Sequence, residues 1–392
     1  MTDHHATFQS GCPGLGRGSD APEKSSINLG FMPLTDSASL IVAATQGFAE
    51  PYGLTLNLKR QVSWSGLRDK LLSGELDAAQ GLYGLIYSMQ LGIGGAPATD
   101  MAVLMGLNQN GQSINLSTPL RQARVCSGET LVRHVRQSSA NVTLAQTFPT
   151  GTHALWLYYW LASLGIHPLA DVNTLVVPPP QMVEHLRAGR STVSAPESPA
   201  GPRIDQGMGF TIATSQSIWP DHPEKSSAAP CFAEQYPNTA RALIMAVLNE
   251  PLIDASEENK AGTAQLISAN GYVAAPRQVI EPRFLGDYED GNGMPGADSM
   301  PCAFMGDGEV NLPYLSDGLW FMTQFRRWGL LREDPDYLAI ATRVQQLELY
   351  RDAAGALGMA HRHGHAHATL LDGRRWDGSD PRPMPAASTS TP

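Results

Sequence analysis

Apolar residues recur along residues 27–116 with two different spacings. The run at 27–34 is mostly apolar, as in a buried strand, and Leu54–Lys59 alternates apolar and polar residues at every second position. Residues 65–72 instead repeat leucine at the spacing of one helical face. Because strands and helices alternate along the chain, the pattern predicts a mainly parallel sheet that is covered by helices on both faces.

The same alternation begins again after Ser117. Short apolar runs at 131–135 and 142–148 precede a segment whose large apolar residues share one helical face, namely Leu157, Trp160, Leu161 and Leu164. Gly165 follows at a position that is typical of a helix end. The repeated pattern predicts a second α/β unit.

The chain has 392 residues and exceeds the size at which one hydrophobic core usually keeps growing, so we expect two lobes. We predict that the chain enters the second lobe near Ser117 and returns to the first near Thr214. The predicted segments are a disordered start at 1–26, a discontinuous first lobe at 27–116 and 214–373, a second lobe at 117–213, and a disordered tail at 374–392.

The returning part of the first lobe contains two further predicted helices. They run over Asn238–Asn249 and Arg343–Leu357, and the second carries apolar residues in helical register. Residues 286–308 are rich in Gly, Asp and Met, a composition that predicts a long surface loop between the two helices.

The composition is that of a folded protein with an acidic balance. Hydrophobic residues make up 42% and charged residues 16%, and the formal net charge is −10. Because phosphate binding needs a basic surface and the chain has no run of Lys or Arg, we do not expect a direct nucleic-acid ligand. An acidic protein can still bind a small anion where hydrogen-bond donors cluster locally.

No membrane segment is evident in the sequence. No stretch reaches about 18 consecutive apolar residues, and residues 1–26 lack the apolar core of about 7 to 15 residues that a secretory signal contains. We therefore predict a cytoplasmic protein without direct membrane contact. The four cysteines have no C-x-x-C spacing, so we expect free thiols and no zinc site at Cys12, Cys126, Cys231 and Cys302.

Four polar residues stand where a strand ends or a helix starts: Trp64, Gln112, His153 and Lys225. Their indole, carboxamide, imidazole and ammonium groups are mostly hydrogen-bond donors, and a set of converging donors suits a small anion. Neither a Gly-rich phosphate loop nor a G-x-S-x-G or H-E-x-x-H motif accompanies them. We therefore predict a binding protein with no catalytic residues, no metal site and no cofactor.

Six motifs, in the same order, resemble the nitrate-binding family of ABC-transporter solute receptors. They are Ser-Trp-Ser-Gly-Leu-Arg-Asp at 63–69, Leu-Asn-Gln-Asn-Gly-Gln at 107–112, Phe-Pro-Thr-Gly-Thr-His-Ala-Leu-Trp at 148–156, Val-Val-Pro-Pro-Pro-Gln-Met-Val at 176–183, Trp-Pro-Asp-His-Pro-Glu-Lys at 219–225 and Trp-Phe-Met-Thr-Gln-Phe-Arg-Arg-Trp-Gly at 320–329. The resemblance implies an α/β, two-lobed periplasmic-binding-protein (type II) fold, with a hinge and a ligand cleft between the lobes.

Within this family, the chain resembles most the NasS-like branch without a signal peptide, which comprises cytoplasmic nitrate/nitrite sensors of two-component antitermination systems. The run Asp-Ala-Ala-Gln-Gly-Leu-Tyr-Gly at 77–84 carries that resemblance. It implies a protein that sequesters an RNA-binding antiterminator regulator and releases it when nitrate or nitrite binds. The alternative is the substrate-binding receptor of a nitrate ABC transporter, and bicarbonate binding is a further alternative.

The resemblance implies a role for each candidate residue. Trp64 would offer a flat surface to the anion, with Gly66 letting the backbone come close, and Gln112 would donate its amide. His153 and Lys225 would donate from the second lobe. The helices that follow Ser65 and Thr152 would also direct free backbone amides at the cleft.

Two charged positions sharpen the ligand prediction. Glu197 matches the acidic residue of the family's Gly-Glu-Pro-Trp loop, although its neighbours here read Pro-Glu-Ser-Pro, and it would orient Lys225 or His153 near the cleft. The bicarbonate-binding members are expected to place an acidic residue and a metal where this chain has Lys225. The lysine therefore favours nitrate or nitrite.

Ordinary structural roles also fit three of these residues. Trp64 fits a packed aromatic, His153 a helix-start histidine and Lys225 a solvated lysine. The alternating histidines from His361 to His367 are compatible with weak Ni²⁺ or Zn²⁺ binding, although we favour a solvated loop. An enzyme of the thiamine-precursor-synthesis type would share the fold, but no cysteine here lies in a recognisable site motif.

Overall fold

Two five-stranded sheets, one in each lobe, make up the framework of the molecule. The computed structural model describes residues 20–95, 97–137, 142–188, 193–194, 209–249, 256–285, 287–289, 291, 295–297, 302–304, 308–359 and 368–381. For residues 193–194, 224–225, 228–230, 283, 287–289 and 295–297 it describes the backbone alone.

The first sheet has the strand order β2-β1-β3-β10-β4. Its strands are β1 (Ser26–Phe31), β2 (Thr55–Arg60), β3 (Ala78–Leu82), β4 (Met101–Gln109) and β10 (Pro223–Pro230). Strand β1 is parallel to β2 and β3, whereas β10 is antiparallel to both β3 and β4. Strands β3 and β4 are buried almost throughout, which explains their continuous apolar runs.

The second sheet has the order β7-β6-β8-β5-β9. Its strands are β5 (Ser113–Ser117), β6 (Thr143–Gln146), β7 (Asn173–Val176), β8 (Val193–Ser194) and β9 (Gly209–Thr214). Strand β6 is parallel to β7 and β8, and β5 is antiparallel to β8 and β9. In each sheet, therefore, the reversed strand is the one that the chain forms directly after crossing from the other sheet.

Helices cover the sheets. In chain order they are α1 (Ala38–Thr45), α2 (Trp64–Leu72), α3 (Tyr83–Gln90), α4 (Thr118–Gln122), α5 (Gly128–Gln137), α6 (Thr152–Ser163), α7 (Met182–Arg187), α8 (Ser215–Ile218), α9 (Phe232–Gln235), α10 (Pro237–Leu248), α11 (Glu257–Ile267), α12 (Arg277–Leu285), α13 (Leu315–Arg327), α14 (Tyr337–Val344) and α15 (Leu347–Ala356). Short 3-10 turns occupy Thr35–Ser37, Glu50–Tyr52 and Pro179–Gln181. None of the helices in the described part of the chain is long and apolar enough to cross a membrane.

Among the described residues, the largest hydrophobic core runs through both lobes. It joins Trp64 and Leu82 of the first lobe to Leu116 and Trp156 of the second, and Trp320 of α13 packs into the same cluster. A shared core means that the two lobes are in contact in this conformation.

Two predicted elements differ from the structure. The helix predicted over 343–357 is two helices, because the backbone is extended at Gln345 and the next amide, that of Gln346, donates to the carbonyl of Val103 in β4. The loop predicted over 286–308 contains the hairpin strands β11 (Asp287–Glu289) and β12 (Pro295–Ala297), and Ala303 forms an antiparallel bridge with Gln109.

The predicted limits of the lobes and of the disordered ends also need correction. The second sheet starts at Ser113, before the predicted boundary at 117. At the start of the chain, the Glu23 carboxylate accepts the backbone amide of Thr239 in α10 at 2.9 Å. Near its end, β13 (Ala368–Thr369) pairs with β14 (Arg375–Trp376), and the buried Trp376 donates to the carbonyl of Ser316 at 3.0 Å. Predicted disorder is therefore wrong for residues 20–26 and 374–381.

Candidate anion-binding site

Three of the predicted site residues lie at one edge of the first sheet. Trp64 begins α2 after β2, Gln112 lies between β4 and β5, and Lys225 is paired with Leu82 and Asn108. Because β10 is antiparallel to its neighbours, its first residues stand beside the carboxyl ends of β3 and β4. Ligands of open α/β sheets bind at this edge.

The backbone position of Lys225 corrects one expectation. We predicted that Lys225 donates from the second lobe, but β10 belongs to the first sheet. The reason is that the return crossing is already complete at Pro223, where β10 pairs with Gln109. The two predicted donors Lys225 and His153 thus belong to different lobes. The side chain of Lys225 lies outside the described residues.

His153 stands at the corresponding edge of the second sheet, as the second residue of α6 after β6. Its ring is fully buried, and Nδ1 lies 3.2 Å from the hydroxyl oxygen of Thr147. The tautomer with its proton on Nε2 lets Nδ1 accept the Thr147 hydroxyl, and it makes Nε2 a donor for an anion. The cap residue Gly151 has no side chain to bond the first amides of α6.

The backbone of Gln112 is hydrogen-bonded, whereas its side-chain carboxamide is available to a ligand. Its amide donates to Ser215 Oγ at 3.3 Å, and its carbonyl accepts the Ser215 amide at 2.9 Å, so the two crossing segments are bonded to each other. The carboxamide is 4% exposed, and neither Nε2 nor Oε1 has a hydrogen-bond partner among the described residues. A buried, unsatisfied polar group costs about 1–3 kcal/mol, which a ligand can recover.

The start of α2 differs from the prediction. Trp64 is 1% exposed and packs in the core that joins the lobes, so it also has a structural role. The amide of Gly66 donates to the hydroxyl of Ser63, the N-cap residue, at 3.1 Å. The expected free amide at Gly66 is therefore already used inside the helix start.

Further polar groups at this edge were missed by the sequence analysis. Asn110 is buried, and in the described structure neither polar atom of its carboxamide has a partner. The indole nitrogen of Trp156, one turn after His153 on α6, and the hydroxyl of Ser226 in β10 are also buried without a partner there. The backbone of Asn110 is left-handed. The Asn-Gly pair at 110–111 is typical of turns and could have predicted this conformation, but it does not predict that the side chain is buried.

One carboxyl group is buried where α13 packs on α3. Burial raises the pKa of Asp317, in the first turn of α13, well above its ordinary value. Burial, and to a smaller extent the charge of Asp317, also raises the pKa of Tyr83 and Tyr87 on α3. A raised pKa favours the neutral carboxyl, which repels a nearby anion less than a carboxylate does.

Some predictions concern residues outside the described part of the chain, and others concern metal sites and disulfides. Glu197 and the stretch His361–His367 are not among the described residues. Over the part of the chain that is described, no group of three His, Cys, Asp or Glu side chains is arranged to hold a metal. Within that same part, no disulfide joins Cys126, Cys231 or Cys302.

Comparison with known proteins identifies the family. The model of the NMT1-like family matches residues 20–268. The chain belongs to the NMT1-like family. The nitrate/nitrite binding protein NrtA of Synechocystis sp. (strain ATCC 27184 / PCC 6803 / Kazusa) is 34% identical over 353 residues, which cover 88% of this chain and 79% of that protein.

Two further members of the comparison support this placement. The nitrate import ATP-binding protein NrtC of the same strain is 32% identical over 369 residues, which cover 93% of this chain and 55% of that protein, so the chain spans about half of it. The crystal structure of the periplasmic nitrate-binding protein NrtA from Synechocystis PCC 6803 superposes with a TM-score of 0.86 at 32% identity, covering 92% of this chain and 97% of that one.

These relatives decide among the predictions. The two-lobed periplasmic-binding-protein fold is confirmed by the superposition. The relatives are named as binding and import proteins, which confirms membership of the nitrate-binding solute receptors and the prediction that the chain is not an enzyme. They favour the alternative prediction, a transport receptor, over the antitermination sensor that we placed first.

Proposed function

We propose that this protein is the receptor for nitrate or nitrite of an ABC-type importer and holds the anion between its two lobes. The observation that carries the proposal is the buried carboxamide of Gln112, which lacks a partner among the described residues and lies where the chain crosses between the sheets. A receptor for a small anion needs such a donor at the junction of the lobes, because only there does one ligand contact both.

The chemistry of nitrate fits the donors at this edge. Nitrate is planar, carries one negative charge and only accepts hydrogen bonds. In this proposal Gln112 supplies Nε2, His153 supplies Nε2 in the tautomer whose Nδ1 accepts the Thr147 hydroxyl, and Lys225 supplies the opposite charge. A hydrogen bond that involves a charged group is worth about 1.5–3 kcal/mol, so two or three of them support a micromolar Kd, which corresponds to about 8 kcal/mol.

Removal of one buried donor tests this proposal. The variant Gln112→Leu loses the amide but fills its space, so we expect the Kd for nitrate to rise by about tenfold or more without a loss of stability. Isothermal titration calorimetry and thermal unfolding measure the two quantities. Gln122→Leu, at an exposed position on α4, is the matched control and is expected to bind like the wild type. An unchanged Kd in Gln112→Leu would remove the observation on which the proposal rests.

The partner and the compartment form a separate part of the proposal. The similarity to an import ATP-binding protein supports an ABC permease as the partner. The antitermination sensor makes the opposite prediction, a complex with an RNA-binding regulator that nitrate dissolves. Cell fractionation with an antibody against the native protein separates the two: material outside the cytoplasmic membrane supports the receptor, whereas strictly cytoplasmic material supports the sensor and our first prediction of location.

A further inference from the structure

The structure holds the two lobes together at a contact that lies beside the candidate site. The turn before α6, residues 147–151 of the second lobe, rests on the start of α3 in the first lobe. The hydroxyl of Thr150 donates to the hydroxyl of Ser88 at 2.9 Å, and both groups are buried. The guanidinium of Arg68 on α2 lies 5.8 Å from the ring centroid of Phe148, which immediately precedes this contact.

Gly84, the second residue of α3, makes this approach sterically feasible. A Cβ atom placed on Gly84 would overlap the carbonyl oxygen of Thr150, and it would lie 3.1 Å from the carbonyl carbon of Gly151. The obstacle is backbone, so no side-chain rotation relieves it. The backbone of Gly84 is not left-handed, and the missing Cβ is therefore explained by the approach of the other lobe rather than by a turn.

The turn that rests on Gly84 also carries site residues. Thr147 begins it, and His153 follows it directly at the start of α6. Docking of the turn on α3 therefore fixes the position of the His153 ring relative to the first sheet, where Gln112 and Lys225 lie.

We propose that Gly84, Ser88 and Thr150 form a closure latch and that Gly84 is a positioning residue for anion binding, although it lies outside the donor set. The inference rests on the proposed function for its ligand. An anion that binds only the closed form has its affinity reduced by the fraction of molecules that are closed. Any change that blocks the latch therefore weakens binding without touching a donor.

The substitution Gly84→Ala tests the latch, because it is expected to stabilise helix α3 locally but to obstruct the contact between the lobes. Alanine is favoured over glycine inside a helix, so α3 itself is not weakened, whereas closure is obstructed. We expect the Kd for nitrate to rise by about tenfold or more, and small-angle X-ray scattering of the ligand-free variant to show a larger radius of gyration than the wild type. Circular dichroism is expected to stay unchanged.

Gly262→Ala is the matched control. Gly262 lies inside α11, and no heavy atom lies within 4 Å of a Cβ placed there. This control makes the same chemical change and is expected to bind nitrate and to scatter like the wild type. Thr150→Ala, which removes the bond to Ser88 but keeps the carbonyl, is expected to raise the Kd by about threefold, and it tests the latch separately if Gly84→Ala fails to fold.

The outcomes separate the latch from the proposed function. If the wild type binds nitrate and Gly84→Ala matches it in both Kd and radius of gyration, the latch is wrong and the proposed function stands. If the wild type binds no nitrate but Gly84→Ala is more open than Gly262→Ala, the latch stands and the proposed function is wrong.

Discussion

Two helix starts carry candidate site residues, and they are built differently. At the start of α2, Ser63 caps the helix and bonds the amide of Gly66, and Trp64 is packed into the core. At the start of α6, Gly151 provides no side-chain cap, and His153 is oriented by Thr147 in the same turn. The first start is completed by its own cap, whereas the second has no side-chain cap and carries an imidazole donor.

The difference indicates that the two lobes contribute to the candidate site in different ways. In the first lobe, Trp64 is packed in the core and the backbone of Gln112 is bonded to Ser215. His153 belongs to the second lobe, and the proposed latch makes its position depend on the contact between Thr150 and α3. Three substitutions test this division, because each affects affinity and stability in a different ratio.

The largest effect on affinity is expected from His153→Ala. Loss of a buried donor to an anion removes about 1.5–3 kcal/mol of binding free energy, so we expect the Kd for nitrate to rise by about ten- to a hundredfold. Isothermal titration calorimetry measures it. His153→Gln, which keeps a donor, is expected to recover part of the affinity. Wild-type affinity in the alanine variant would show that α6 does not deliver a donor.

A smaller effect is expected from Thr147→Val. The valine keeps the shape of the side chain but loses the hydroxyl that lies 3.2 Å from His153 Nδ1, so the ring loses a hydrogen-bond partner at Nδ1. We expect the Kd to rise by about three- to tenfold, the range of one net hydrogen bond. Thr147→Ser serves as the control and should bind like the wild type. A valine variant that binds as tightly would mean that Thr147 only packs against the ring.

The smallest effect on affinity is expected from Ser63→Ala. Loss of an N-cap costs about 1 kcal/mol of stability, so the midpoint of thermal unfolding should fall, while the Kd should change by no more than about twofold. Ser63→Thr keeps the cap and is expected to restore the midpoint. A loss of affinity as large as that of His153→Ala would contradict the comparison between the two helix starts.

Local patterns in the sequence predicted much of the fold. Strands β1 and β2 and helices α2 and α6 follow from the spacing of apolar residues, because each is decided by neighbours in the chain. The strand pairing of Lys225 and the break at Gln345 could not be found in this way. Both depend on pairing with residues that are distant in the chain. Lys225 pairs with Leu82 and Asn108, and Gln346 donates its amide to Val103.

For the candidate site too, features set by neighbouring residues were predicted, whereas contacts between residues distant in the chain were not. Trp64, Gln112 and His153 were found through motifs and through their places beside strand ends and helix starts. The role of Gly84 depends on the carbonyl oxygen of Thr150, which is distant in the chain. A single glycine after a strand does not indicate in the sequence that another backbone segment comes this close. Glycines that accommodate another lobe are recognised only in the folded structure.

Calorimetry of the purified protein with nitrate, nitrite, bicarbonate and sulfate, repeated on Lys225→Glu, tests the central claim most directly. Lys225 lies at the shared edge of β3, β4 and β10, and a reversed charge there should repel the anion. We predict micromolar binding of nitrate or nitrite by the wild type, weaker binding of bicarbonate and sulfate, and no measurable nitrate heat in the variant. A folded wild type without nitrate heat, or a variant that binds nitrate as tightly as the wild type, would contradict the account.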